Sequence, residues 1–287
     1  MASLKEIKER IASVRGTRKI TSAMKMVAAA KLHRAQRAMG ALVPYADELG
    51  HITAHLVGGE GMPALPLATE REVHRAVIVG FASNSTLCGA YNVNVVRSVL
   101  AEANRWHGEG AEVEIVAVGA QTAHGVQKGG MECTAGYDSL ADRPTYEEAT
   151  TMAEGLMERF GKGECDKVVL VYHKFLSAGT QRLVCEELLP IGVERYEEGG
   201  ELPTEYILEP SRDELLHSLV PRLVALRLYT AALSASASEH AARMMAMQTA
   251  TDNADDLISE LAVEYNKQRQ QAITTELLDI MGGQNGR

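Results

Sequence analysis

A few side chains in this sequence have the types and spacing that chemistry requires. His51 and His55 lie four residues apart, so on a helix they could supply half of a metal site. No neighbouring Cys, carboxylate cluster or third His completes that site, and a solvated helical face is the simpler interpretation. His240 lies on an apolar helical stripe, where we expect a packed, hydrogen-bonded side chain rather than a catalytic one.

Two short segments share some features with enzyme loops. Residues 119–125 (GAQTAHG) follow an apolar run, as a phosphate-binding loop follows a strand, but their glycines do not fit GxGxxG and the sequence contains no GxxxxGK[ST]. Ser85 and Thr86 lack the GxSxG context of a hydrolase nucleophile. The sequence therefore favours neither nucleotide binding nor nucleophilic catalysis, and it predicts no cofactor and no metal.

The charge of the chain is unevenly distributed. The formal net charge is −9, but residues 1–40 hold ten Lys or Arg against only Glu6 and Glu9. The first helix should therefore be attracted to an acidic partner. Nucleic acid is disfavoured as that partner because the segment lacks aromatic residues and its apolar stripe must be buried.

Composition indicates a soluble protein with a real core. The chain has 287 residues, of which 46% are hydrophobic, and its four cysteines include no CxxC pair. We expect reduced thiols in a cytoplasmic setting. Uncharged runs are too short to span a bilayer, which predicts neither a secretory signal nor a membrane anchor.

Helical patterns occupy both ends of the chain. Residues 3 to about 57 carry an apolar stripe that begins at Leu4, Ile7, Ile11 and Val14 and then shifts onto Ile20, Met24 and Val27. Pro44 lies inside this pattern and should kink or divide the helix.

The C-terminal pattern is longer. From Leu219, steps of four and three residues reach Met247, Thr251, Ala254, Ile258 and Leu261 and continue to Ala272. At about 1.5 Å per residue, a helix over residues 211–280 would extend roughly 100 Å. A helix of that length needs a partner along its stripe.

The middle of the chain has a different periodicity. Short β-branched runs at 76–81, 114–118 and 168–172 alternate with helical patterns at 92–106 and 146–160, and 182–189 would add an edge strand. This order predicts a small Rossmann-like α/β domain with a largely parallel sheet. The predicted organisation is a coiled-coil helix (1–57), a linker (58–72), the α/β domain (73–203), a second linker (204–210) and a coiled-coil helix (211–287).

The two terminal helices should pair as an antiparallel coiled coil, because each carries a stripe that the α/β domain is too small to cover. Small side chains would let the helix backbones approach closely; they are Ala28, Ala35, Ala237, Thr251 and Ala254. The last helix is predicted to exceed the first by one to two dozen residues. Its tip, about 266–287, would then need a socket on another protein for its apolar side chains: Ile273, Leu277, Leu278, Ile280 and Met281.

Three segments resemble the terminal signatures of the gamma subunit of F-type ATP synthases. They are 19–32 (KITSAMKMVAAAKL), 238–253 (SEHAARMMAMQTATDN) and 265–277 (YNKQRQQAITTEL). The resemblance covers both ends, and the intervening domain has the size and order of the family. It departs from the family after the first strand, where 85–92 replace a glycine-rich segment that usually carries a basic residue.

This resemblance implies a rotor shaft that is itself not an enzyme. The shaft would turn inside a ring of alpha and beta subunits, rest with the epsilon subunit on the membrane ring of c subunits, and contact the membrane only through that complex. The location implied is the cytoplasmic face of a bacterial plasma membrane. Residues implied to contact the alpha and beta ring are Met24, Lys25, Arg243, Arg269, Gln270, Ile273, Thr274 and Leu277; Tyr206 and Glu209 would face the c ring.

Two other hypotheses remain open from the residues alone. The chain could be an α/β enzyme whose helical arms mediate oligomerisation, or a structural coiled-coil scaffold. The enzyme would turn over substrate in isolation. The scaffold would form symmetric homodimers through its tip.

Overall fold

The computed structural model describes residues 4–57, 65–134, 136–192 and 208–284, the last six of these without their side chains. In chain order the elements are α1 (Leu4–Val57), a short 3₁₀ turn (Pro66–Ala68), β1 (Arg75–Phe81), α2 (Tyr91–Gly108), β2 (Glu112–Val118), α3 (Ala120–Lys128), α4 (Asp138–Asp142), α5 (Tyr146–Gly161), β3 (Lys167–Ser177), β4 (Thr180–Leu189) and α6 (Arg212–Gln284). The chain divides into two compact units. We call residues 29–242 the α/β unit, and residues 1–28 with 243–287 the coil unit.

The sheet of the α/β unit has the strand order β2-β1-β3-β4. β1 pairs in parallel with both β2 and β3, and β4 pairs antiparallel with β3 at an edge. The predicted mixed α/β class with a largely parallel sheet and long terminal helices is thus confirmed. The helices α3 and α4 were not predicted, because α3 is short and carries Gly125 in its middle.

Both faces of the sheet are buried, which explains the continuous apolar runs of its central strands. In β1, Ala76 and Ile78 point to the face covered by α2 and α3, where Val95 and Val99 pack against them. The alternate residues Val77, Val79 and Phe81 point to the other face, which α5 and the parts of α1 and α6 in this unit cover. The strand period of two therefore separates two apolar clusters.

The part of α6 in the α/β unit is buried almost all round. Leu223–Leu228 and the run from Ala231 to Ala241 are buried without a break. Small side chains predominate in the second run, so the sheet can approach the helix backbone closely. The phenol of Tyr91 donates a hydrogen bond to the Ala235 carbonyl at 2.9 Å, and the Phe175 amide donates to Ser234 Oγ at 2.8 Å.

A buried ion pair fixes the same helix to the edge hairpin. Arg227, 8% exposed, donates to Glu186 Oε1 at 3.2 Å and to the Glu187 carbonyl at 2.7 Å. Glu186 also accepts from the Tyr172 hydroxyl at 2.6 Å. These bonds offset part of the desolvation of the Arg227 guanidinium, and removing Glu186 would leave that buried charge without its ion-pair partner.

The prolines do not divide the terminal helices. α1 runs unbroken through Pro44, and α6 runs unbroken through Pro221. The expectation that Pro44 could divide the first helix is therefore wrong. Pro44 is exposed, so the carbonyl that loses its donor can be hydrated, while Ala46 and Leu49 pack the following turn into the core. At the start of α6, the Glu214 amide donates to Ser211 Oγ at 3.3 Å.

His173 makes the stability of the α/β unit depend on pH. It is 6% exposed, stacks on Tyr91 with ring centroids 4.6 Å apart, and burial lowers its pKa from 6.5 to about 4. The folded form resists protonation while the unfolded form accepts it. The contribution of His173 to the free energy of unfolding is therefore constant above pH 6.5. It decreases by up to about 3 kcal/mol as the pH falls from about 6.5 to about 4.

We expect His173→Phe, which keeps an aromatic ring against Tyr91, to remove this pH-dependent contribution to stability. The difference in unfolding free energy between wild type and variant, measured by urea titration at several pH values, should be constant above pH 6.5 and change by about 3 kcal/mol down to pH 4. His124→Phe is the control because His124 is exposed on α3. Identical pH profiles for His173→Phe and wild type would contradict the assignment.

Candidate partner-binding surface of the coil unit

The coil unit consists of two antiparallel helical segments. Polar contacts join them, and three of these give the register: Arg18 Nε to Asp255 Oδ1 at 2.5 Å, Thr21 Oγ1 to Thr251 Oγ1 at 2.8 Å, and Lys25 Nζ to Gln248 Oε1 at 2.8 Å. From Arg18 to Lys25 the residue number rises by seven on α1, and it falls by seven on α6 from Asp255 to Gln248. The predicted antiparallel pairing is therefore observed in this unit.

The seam on α6 follows the predicted spacing. Met247, Thr251, Ala254 and Leu261 are buried, and Ile258 between them is half-buried. Ala254 is 7% exposed and Thr251 also 7%, as expected for small side chains at a close helix contact. The heptad pattern therefore located this side of the interface correctly.

The seam on α1 differs from the expectation. Ile20 and Val27 were placed on the stripe, but they are 62% and 59% exposed, and Met24 is half-buried. Thr21 (9% exposed) occupies the interface instead, next to Ala28 (1% exposed), which was predicted as a small seam residue. The stripe keeps its original heptad from Ile7, and hydropathy misses it because polar and small side chains fill these positions.

The exposed apolar face of α1 is a consequence of this register. Ile20 and Val27 are seven residues apart and point away from α6, and Met26 is 62% exposed beside them. Exposed apolar side chains in a row are typical of a surface that another protein covers. Arg10, Arg15 and Lys19 are exposed on the same segment and give it a basic character.

Beyond the start of α1, α6 continues without a helical neighbour among the described residues. In the register of the three polar contacts, Leu4 lies opposite residues 268–269, so most of the predicted tip lies past it. Ile273, Leu277 and Leu278 are 49%, 56% and 63% exposed. Arg269, Gln270 and Thr274 are also exposed, and the Thr274 hydroxyl donates to the Gln270 carbonyl at 2.9 Å.

The remaining predicted contact residues are dispersed. Lys25 is half-buried and uses its ammonium group on Gln248, and Arg243 is half-buried at the other end of the coil unit. Glu209 is exposed before the start of α6, and Tyr206 lies outside the described residues. Sequence reasoning missed Thr21, Gln248 and Asp255. Thr21 lies two heptads after Ile7, so heptad numbering would have placed it at the seam.

The crevice at the carboxyl ends of β1 and β2 has its polar groups satisfied by the chain itself. The Ala120 amide, at the N-terminus of α3, donates to Asn84 Oδ1 at 2.9 Å, and Asn84 Nδ2 donates to the Asp138 carbonyl at 2.7 Å. Gly119 adopts φ 90°, and a Cβ there would meet the Ala82 carbonyl oxygen at 2.2 Å. The Asn84 side chain thus takes the N-terminal amide of α3, at which the 119–125 segment would otherwise hold a phosphate.

The described residues do not bring the other candidate residues together as a metal or catalytic site. Among described residues, no group of three His, Cys, Asp or Glu is arranged to hold a metal ion. His240 is 7% exposed and its Nδ1 contacts the Glu239 carboxylate. None of the helices, over the portions described, is long and apolar enough to cross a membrane.

The small seam residues generate a stability prediction. Ala254→Leu should destabilise the coil unit by about 1–3 kcal/mol, because the added atoms force the two helices apart. Asn253→Leu, one position away on the exposed face, is the matched control and should change stability by less than about 0.5 kcal/mol. Urea unfolding followed by far-UV circular dichroism measures both, and equal effects would refute the proposed close packing at Ala254.

Comparison with known proteins identifies the family. A family model described as ATP synthase matches residues 3–286. The ATP synthase gamma chains of Phocaeicola vulgatus and Bacteroides fragilis are each 48% identical over 287 residues, covering 99% of both chains. A further gamma chain, from Flavobacterium johnsoniae, is 40% identical over 99% of this chain and 98% of its own length.

Solved structures agree on the fold. A chain of the Euglena gracilis mitochondrial ATP synthase (OSCP/F1/c-ring) matches with a TM-score of 0.65 at 19% identity, covering 98% of this chain and 93% of that one. A chain of the Tetrahymena thermophila central stalk and c-ring matches with a TM-score of 0.58 at 23% identity, covering 80% and 99%. Because the family model and the bacterial relatives match over nearly the whole length, the chain belongs to the ATP synthase gamma chain family.

Proposed function

We infer that this chain is the rotor shaft, or central stalk, of an F-type ATP synthase. By turning, it couples ion flow through the membrane ring of c subunits to ATP synthesis or hydrolysis on the alpha and beta subunits. The observation that carries this conclusion is the full-length membership of the gamma chain family, joined to a coil whose tip leaves its apolar side chains uncovered.

The coil unit suits rotation because it is asymmetric. At the level of Thr21 and Thr251 two helices lie side by side, whereas past Leu4 only α6 continues among the described residues. Such an object inside a threefold ring presents a different surface to each catalytic site. The three sites then differ in nucleotide affinity, and turning the shaft exchanges their states through differential contacts.

The tip would act as a bearing. Ile273, Leu277 and Leu278 are exposed apolar side chains, and apolar contact is non-directional, so a sleeve around them would hold no single angle. Arg269, Gln270 and Thr274 would add polar contacts to the alpha and beta ring. Their full exposure leaves them accessible to a partner.

The basic face of α1 supplies the long-range attraction. Arg10, Arg15 and Lys19 are exposed, and acidic loops of the beta subunits would be drawn to them without a fixed pairing. Met24 and Lys25, both half-buried, would meet the ring at the same level as Ile20 and Val27, and Arg243 would do so from α6.

The chain itself would carry no catalytic site. In the α/β unit the N-terminal amide of α3 is bonded to Asn84, and catalysis would reside in the alpha and beta subunits. Tyr206 and Glu209 would face the c ring, and the epsilon subunit would bind the α/β unit. The assembly would lie on the cytoplasmic face of a bacterial plasma membrane, reached by this chain only through its partners.

Native mass spectrometry of the chain coexpressed with its alpha and beta subunits tests this function. We expect one copy of the chain for three alpha and three beta subunits, and ATP hydrolysis by the complex but not by the isolated chain. A symmetric homodimer without affinity for the ring would favour a structural scaffold. Turnover of ATP by the isolated chain would favour an enzyme.

The tip can be tested by Ile273→Ser combined with Leu277→Ser. Because both side chains are already exposed, the free energy of unfolding should change by less than about 0.5 kcal/mol. Affinity for the alpha and beta ring should fall by about tenfold or more, since apolar burial is lost. Val93→Ser, at a 57% exposed position on α2, is the control and should leave ring affinity unchanged. Unaltered affinity of the double variant would exclude the tip as a bearing.

A further inference from the structure

A cavity of about 380 Å³ lies within the α/β unit between α1, the segment that joins α4 to α5, and α6. Its volume is within the range of small-molecule sites in proteins. Tyr229 and Leu233 of α6 supply apolar wall, and the rim carries three cationic side chains: Lys31, Arg34 and Arg143. The coiled-coil role of the chain makes no use of this cavity.

The cavity is electropositive. Three cations and one carboxylate, that of Asp142, leave a net charge of +2 around it. Lys31 Nζ donates to Asp142 Oδ1 at 3.0 Å, so these two charges satisfy each other. The pKa of Asp142 is lowered, first by that hydrogen bond and further by the charges of Lys31 and Arg143, which indicates a positive potential at the rim.

Two guanidinium groups remain available. The side chains of Arg34 and Arg143 are exposed and make no hydrogen bond or ion pair with any residue in the described ranges. They come from different elements, α1 and the segment after α4, and both line the same cavity. A guanidinium presents donors in a planar fork that matches the oxygens of a phosphoryl group.

A helix N-terminus adds to the same field. Pro144 lines the cavity and directly precedes Thr145, the N-cap of the 16-residue helix α5. The ring of Tyr146, the first residue of α5, lies edge-on to Tyr229 of the cavity wall, with centroids 5.7 Å apart. The positive end of the α5 dipole is therefore close to the two free guanidinium groups.

We propose that this cavity binds a small phosphate-bearing anion, held between Arg34 and Arg143. Its rim of three cationic side chains favours an anion over the apolar face of a partner helix. A phosphoryl group fits both the volume and the charge. By joining α1 to the segment after α4, the anion would also stabilise the α/β unit.

Isothermal titration calorimetry of the purified full chain with pyrophosphate tests the proposal. We expect one binding site whose affinity falls as the salt concentration rises, and a higher melting temperature in its presence. Parallel titrations with inorganic phosphate and ATP distinguish the source: equal affinity for pyrophosphate and ATP assigns the site to the phosphoryl group alone, whereas tighter binding of ATP assigns it to a nucleotide. Absence of binding by all three anions would overturn the proposal.

Arg34→Gln and Arg143→Gln should each weaken pyrophosphate binding by about tenfold, because each removes a charge-assisted hydrogen bond. Arg37→Gln is the matched control: Arg37 is exposed on the same helix but does not line the cavity. Equal weakening by all three variants would indicate attraction to the basic helix in general. That result, or unchanged binding in the Arg34→Gln, Arg143→Gln double variant, would refute the site.

Discussion

The close packing of α6 is the constraint on which the rest of the structure depends. In the α/β unit this helix is buried on nearly every side from Leu223 to Ala241, and in the coil unit it is buried along one stripe only. Its composition follows these surroundings. Alanines and serines at 231–238 let the sheet contact the helix backbone, where Tyr91 and Ser234 make hydrogen bonds that larger side chains would prevent.

This packing fits the mechanical role that family membership assigns to the chain. A helix that transmits torque must be fixed to the domain that receives it, and the bond from Arg227 to Glu186 is costly to break because it would leave the buried guanidinium without its ion-pair partner. The coil unit has the opposite requirement. In the bearing proposed for its tip, contacts would have no preferred angle, and exposed apolar side chains such as Leu277 and Leu278 suit that role because apolar contacts have no direction.

The seam of the coil unit shows where prediction from sequence succeeds and fails. On α6, the three-four spacing located Met247, Ala254 and Leu261 correctly. On α1, hydropathy favoured Ile20 and Val27, yet Thr21 and Ala28 are buried. A threonine pair across two helices satisfies its hydroxyls mutually, so polar residues can fill an interface that a scale of single-residue hydrophobicity assigns to solvent.

The sequence by itself determined the long terminal helices, the alternation of strands and helices between them, and the family, because each depends on local periodicity or on long specific motifs. It did not determine the strand order β2-β1-β3-β4, the hydrogen bond from the Ala120 amide to Asn84, or the cavity beside Arg34 and Arg143. These features join residues far apart in the chain: Asn84 meets the helix that begins at Ala120, and Lys31 meets Asp142. Only the tertiary packing brings such residues within a few ångströms, so no local pattern records which distant side chain each will meet.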